Sequence, residues 1–249
     1  MTILEQLMQE KAAGYKGGLY HLTQIKLAYN SNRLEGSRLT EEQTRYMYET
    51  KTLLPSGNEA APINDIIEMQ NHFALFNAML STADQPLTED IIKTYHRILK
   101  SSTTDAQLDW FAVGDYKTQE NIVGDMETTP PEQVAAEMGR LLQQYNEKGS
   151  ISLEDVIDFH VRFERIHPFQ DGNGRVGRMV MFKECLKNDI VPFIIEDTKK
   201  AFYYRGLREY SREPGYLLDT CLDAQERYKA YWQKLQFRVR DKAGNEPAL

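Results

Sequence analysis

The chain has 249 residues, enough to bury a core as one large domain or two small ones, and its 41% hydrophobic and 27% charged content excludes a disordered or fibrous protein. Thirty Lys and Arg against 37 Asp and Glu leave a formal charge of −7, and with no basic run to track phosphates nucleic acid is not expected as a partner. Cys185 and Cys221 are too few and too far apart for a disulfide framework or a Cys-rich metal site. With no signal peptide and no run of roughly 18 apolar residues, no membrane partner is expected and the expected location is the cytoplasm.

In chain order, most segments show apolar residues at three- and four-residue spacing, which predicts a mainly α fold. Residues 22–35 carry Leu22, Ile25, Leu27, Tyr29 and Leu34, and Gly36 supplies a stop. Thr40 and Gln43 form a capping-box pattern, so a helix is expected from about Glu41. A third begins near Ile63, and Thr88 caps a fourth whose stripe is Ile91, Ile92, Tyr95, Ile98 and Leu99. From Gly114 to Gly124 the helical period is lost, and a short extended pair around "QEN" is expected. Helices resume at Pro130-Pro131, then from Ser152 to His167, at about 174–188, at about 198–211, and in a terminal stretch. No linker and no repeat divides the chain, so residues 1–249 read as one all-α domain, a helical bundle with one small β-hairpin.

The segment "HPFQDGNGRVGR", 167–178, concentrates reactive residue types. Gly172-x-Gly174-x-x-Gly177, with Glu196 or Asp197 downstream, satisfies a dinucleotide-binding pattern, but a helix rather than a strand leads into it. His160, Glu164 and His167 share a helix face and could hold a metal, although a His on an apolar face is more often a hydrogen-bonded core residue. The physical reading is more specific. Pro168 disfavours helical geometry at His167 and leaves its imidazole at the mouth of a loop. Gly172-Asn173-Gly174 can turn backbone N–H groups toward an anion where the next helix starts. Arg175 and Arg178 lie on one side of that helix. Asp171 would repel a phosphate unless Mg²⁺ bridged the two. Together these residues suit displacement at phosphorus, with His167 as base.

At these residues the sequence resembles the Fic family, whose signature is His-Pro-Phe-x-(Asp/Glu)-Gly-Asn-Gly-Arg-x-x-Arg. The resemblance implies a helical Fic fold and Mg²⁺-dependent transfer of AMP from ATP to a Ser, Thr or Tyr hydroxyl of a target protein, and to the enzyme itself, with release of pyrophosphate. Carried over, His167 is the general base, Asp171 the Mg²⁺ ligand, Gly172, Asn173 and Gly174 the anion hole, Arg175 a phosphate contact and Arg178 the γ-phosphate contact. "GDYKTQENIVG" (114–124) resembles the family's flap, implying that Tyr116, Lys117, Ile122 and Val123 dock the target backbone. Tyr203 and Tyr204 would line the adenine, with Ser211 where many relatives have Asn.

"SNRLEG" (31–36), within the helix region of about 21–36, resembles the family's inhibitory pattern through Ser31, Glu35 and Gly36. An anion in the last turn of a helix is disfavoured by the macrodipole, which argues for a cationic partner. In the family that partner is the second signature arginine, here Arg178. Two other activities fit the same residues: a hydrolase that removes AMP from a modified protein, with Glu35 positioning water, and a non-catalytic nucleotide-binding regulator, as in a toxin–antitoxin pair. Transfer of another phosphate-containing group and self-association are further properties of relatives.

Overall fold

The computed structural model describes residues 1–55, 60–123 and 126–243. Among them are ten α-helices: α1 Ile3–Ala12, α2 Leu19–Leu34, α3 Glu41–Thr50, α4 Ile63–Ser81, α5 Glu89–Lys100, α6 Pro131–Asn146, α7 Leu153–Ile166, α8 Asn173–Lys187, α9 Lys200–Glu209 and α10 Gly215–Ala243. Single 3₁₀ turns lie at Asp105–Gln107 and Asp197–Lys199. The capping signals work as chemistry requires. The Thr40 and Gln43 side chains exchange bonds with each other's backbone N–H, and Thr88 accepts from the Ile91 N–H. Helix α1 was not anticipated, although Thr2 and Glu5 form a capping box at its start.

Helix α8 positions the site. Residues 173–186 are all buried, because α7, α5, α2 and α4 pack around it. A helix enclosed on every side needs no polar face, so its polar residues must find partners in the interior. Lys183 and Glu184 pair at 2.7 Å, and Tyr145 donates to Glu184 at 3.1 Å. Phe76, Phe163, Phe169, Val176 and Phe182 form the centre of a hydrophobic cluster that runs from Ile3 to Leu235. A second cluster joins Leu34 of α2 to Val161, Met181, Tyr203 and Leu217.

The hairpin lies further along the chain than "QEN". Strand β1, Ile122–Val123, pairs antiparallel with β2, Met126–Glu127, with Ile122 opposite Glu127 and Val123 opposite Met126. Residues 114–121 form turns instead, because Lys117, Thr118 and Asn121 spend hydrogen bonds on neighbouring loops. Gly124, part of the expected flap, lies outside the described residues. Among the described residues no helix is long and apolar enough to cross a membrane.

Candidate functional site

The α7–α8 connection builds the centre of the site. Because Pro168 follows, His167 cannot continue the helix; it adopts a left-handed conformation (φ 52°, ψ 61°) and its N–H closes the last turn on the Phe163 carbonyl at 2.9 Å. This turn carries the imidazole out of the helix line. His167 Nδ1 lies 3.2 Å from the Glu164 carbonyl, which can only accept, so Nδ1 carries the proton and Nε2 is left as the basic nitrogen. Burial lowers the imidazole pKa below its ordinary value, the Glu164 bond opposes this, and the Lys117 charge adds to it.

The loop is held by its own side chains. Phe169 is fully buried, which contributes roughly 2–3 kcal/mol. Asn173 accepts from the Phe169 N–H at 2.8 Å and donates to its carbonyl at 2.7 Å. The Asn173 side chain therefore braces the loop. Gly172 has φ 81°, and a Cβ there would come within 3.2 Å of Leu99 Cδ2. Glycine is required on both counts.

Asp171 is held by two cations of the protein itself. Its Oδ2 accepts from Lys100 Nζ at 2.6 Å and from Arg175 Nη2 at 3.2 Å. Burial alone would raise this carboxyl, but the Arg175 and Lys100 charges hold it well below the usual carboxylate range. Arg175 also pairs with Glu68 and approaches Asn32 Oδ1 at 3.3 Å. His96 of α5 donates from Nε2 to the Asp171 carbonyl at 3.1 Å and accepts the Gly114 N–H on Nδ1 at 2.9 Å. Burial lowers its pKa to about 3, so it stays neutral. Among the described residues no three His, Cys, Asp or Glu side chains gather as a metal-binding group. The side chain of Asp171 is 49% exposed beside the Gly172–Gly174 loop. One carboxylate next to a phosphate position is the donor set Mg²⁺ accepts when phosphates and water supply the rest.

Arg178 has different partners, at the C-terminal end of α2. Nε donates to Ser31 Oγ at 3.0 Å, Nη2 to the Ser31 carbonyl at 2.9 Å, and Nη2 to Glu35 Oε1 at 2.5 Å. Burial opposes its charge, but Glu35 more than compensates and raises its pKa. Gly36 (φ 96°) ends α2 as the sequence suggests, and its N–H bonds the Arg33 carbonyl. The Glu35 carboxylate lies directly against Gly174, in space a Cβ would need. An anion thus occupies the N-terminus of α8. The two arginines, expected on one side of α8, serve separate acids.

The adenine-side pair divides. Tyr203 is fully buried, bonds His160 Nε2 through its hydroxyl at 2.6 Å and lies under the Arg178 guanidinium at 5.9 Å. It is a support for Arg178 and not an open pocket wall, because the second hydrophobic cluster closes around it. Tyr204 is 37% exposed and donates to the Leu34 carbonyl at 3.1 Å. Ser211 accepts from Arg165 at 2.7 Å. His160 shares no ligand position with His167; its ring belongs to the Tyr203 contact.

The flap residues divide as well. Lys117 is only 3% exposed; its N–H bonds the Pro168 carbonyl at 2.8 Å and its ammonium reaches Asn121 at 2.7 Å and Thr128 at 2.6 Å. Burial lowers its pKa to about 8. The Tyr116 ring lies 5.9 Å from that of Phe169. Tyr116 and Lys117 therefore tie the hairpin base to the signature loop and are not exposed docking residues. Ile122 and Val123 form β1, and a two-stranded sheet leaves each strand one unpaired edge.

Residues 86–185 match the family model described as Fic/DOC family. Over this stretch the chain is similar to the Fic/DOC family. It is 27% identical over 186 residues to "Protein adenylyltransferase Fic" of Nematostella vectensis, covering 73% of this chain and 42% of that protein. It is 24% identical over 190 residues to "Protein adenylyltransferase fic-1" of Caenorhabditis elegans, covering 74% and 36%. The chain thus spans less than half of each. Among solved structures, a Fic domain-containing signaling protein from Bacteroides thetaiotaomicron superposes with TM-score 0.71 at 24% identity, covering 99% of this chain and 98% of that one. Fic-1 of Caenorhabditis elegans (residues 134–508) gives 0.70 at 19% identity, covering 92% and 68%. The fold is therefore the Fic fold, and its α4–α8 core contains His96, Lys100 and Glu68, which the sequence reading did not single out.

Proposed function

We propose that this chain is a protein adenylyltransferase that moves AMP from ATP to a hydroxyl of a protein target and to itself. The observation that carries the reading is the position of His167: its Nδ1 is bound to the Glu164 carbonyl, leaving Nε2 basic, beside a helix N-terminus where an anion already lies. In this reading His167 Nε2 takes the proton of the acceptor hydroxyl as its oxygen bonds the α-phosphorus. The bond from that phosphorus to the pyrophosphate oxygen then breaks. The backbone of Gly172, Asn173 and Gly174 holds the developing charge, and Arg175 and Arg178 hold the departing phosphates. Asp171 would hold Mg²⁺, which would supply charge neutralisation for the phosphates and the leaving group. The β1 edge is the surface available to align a target backbone.

Glu35 restrains this reaction by occupying Arg178 and the Gly174 surface together. An ion pair at partial exposure is worth about 1 kcal/mol, roughly a five-fold effect, so the restraint is moderate. The test is α-labelled ATP with Mg²⁺. Labelling of the protein or of a supplied target should rise in Glu35→Gly and vanish in His167→Ala. Equal labelling in His167→Ala would sink the assignment of the base. The position of Glu35 against Gly174 also suits a carboxylate that orients water toward protein-bound AMP. In that second reading Glu35→Gly abolishes release of AMP from a modified target instead of raising transfer.

A further inference from the structure

Helix α5 touches Asp171 at two points one helical turn apart. His96 Nε2 holds its carbonyl at 3.1 Å and Lys100 Nζ holds its carboxylate at 2.6 Å. Lys100 is fully buried and also contacts Glu68 at 2.6 Å and Asp105 at 3.2 Å. The loop rests directly on this helix face, since a Cβ on Gly172 would meet Leu99 at 3.2 Å, Lys100 at 3.6 Å and His96 at 3.7 Å. The His96 ring stacks on Phe169 at 4.0 Å with an interplanar angle of 3°. Lys100 and Arg175 both take Oδ2, so Oδ1 is the oxygen neither cation holds.

We propose that His96 and Lys100 form a two-point clamp that presents Asp171 to a divalent cation through Oδ1 alone, with Lys100 lowering the affinity for that cation in exchange for a fixed carboxylate. Both are positioning residues. The inference rests on the nucleotide-transfer reading of the site. Its physical basis is that an ammonium at 2.6 Å from the shared carboxylate repels a second cation bound to the same group. It also removes one rotational choice of the carboxylate, and geometric outer-shell support of this kind is what tunes metal ligands. His96 does the same for the backbone. Because its other nitrogen binds the Gly114 N–H, it joins the hairpin base to the metal-holding residue.

Neutralising Lys100 should raise the affinity for Mg²⁺ while lowering the rate, a divergence that loss of a structural contact would not produce. The experiment uses the full chain carrying Glu35→Gly and reads the ADP-induced rise in thermal denaturation temperature as a function of Mg²⁺. In Lys100→Gln the Mg²⁺ midpoint should fall at least three-fold while the self-labelling rate at saturating Mg²⁺ and ATP falls about ten-fold. Lys100→Arg should restore both. In His96→Phe, which keeps the stacked ring and loses both hydrogen bonds, the midpoint should rise and labelling should fall at unchanged KM for ATP. If Lys100→Gln folds poorly, Lys100→Met supplies the same charge change. An unchanged or higher midpoint in folded Lys100→Gln or Lys100→Met overturns the clamp. Absence of any ADP effect in every variant overturns the nucleotide reading instead.

Discussion

The two arginines of the signature lie one helical turn apart on α8 and are held in different ways. Arg175 faces the floor of the site, where Glu68, Asp171, Lys100 and Asn32 form a network with several bonds among its members. Arg178 faces α2, where one carboxylate, 29% exposed on its side chain, and one serine hold it. A network in which each cation has several acids tolerates the loss of one partner, whereas a cation held by a single, partly exposed carboxylate can be released by losing that one contact. The comparison assigns permanence to the floor and reversibility to the α2 contact.

The largest expected effect is at the floor. Arg175→Met leaves Glu68 and Asp171 short of a cation and should cost about 3 kcal/mol of stability, a fall of roughly 10 °C in denaturation temperature for a chain of this size, together with loss of labelling. A variant that keeps its stability would show that Arg175 serves only the ligand. On the α2 side, Ser31→Ala removes one bond to a charged group, worth about 1 kcal/mol. Self-labelling should rise by a few-fold, less than in Glu35→Gly, with the denaturation temperature within about 3 °C of the parent. Equal activation in the two variants would mean that Ser31 and Glu35 act as one unit.

The smallest effect concerns the carboxyl between the two regions. Burial, and then the nearby Glu35 charge, raise the pKa of Glu164 from 4.5 to about 8, against the opposing Arg178. A carboxyl whose folded pKa is raised binds its proton more tightly in the native state than in the unfolded one. Its contribution to stability is complete below pH 4.5 and is lost as pH rises toward 8. Glu164→Gln should therefore flatten the decline in denaturation temperature between pH 5 and pH 8. A decline as steep as the parent's would assign it to other groups.

The α2 half of this comparison was legible in the sequence because its parts are local. "SNRLEG" puts Ser31, Glu35 and the Gly36 stop within one turn and a half of helix, and the signature keeps base, acid and arginines within twelve positions. The floor was not legible, since Glu68, His96 and Lys100 come from α4 and α5, over seventy residues before Asp171. A signal was present all the same. His96 and Lys100 follow Ile92 at four-residue spacing on the buried stripe of α5, and charged or polar residues on such a stripe need partners inside. The hairpin was misplaced by a few residues for a related reason: the turns at 114–121 are set by bonds to Pro168 and Phe169, which local propensity does not encode. Tyr203 and Tyr204 are adjacent in sequence, and only packing decides which of them is interior.

The bare backbone at Gly174 has a consequence for how activity and restraint can be separated genetically. Glu35 rests in the space a side chain at 174 would fill, so in the proposed reading the inhibitor and the nucleotide both depend on the same missing atom. Any larger residue at 174 would evict both at once. Variants that release restraint while sparing the reaction must therefore arise on α2, and a selection for activated forms should recover changes at Ser31 and Glu35 and none at Gly174.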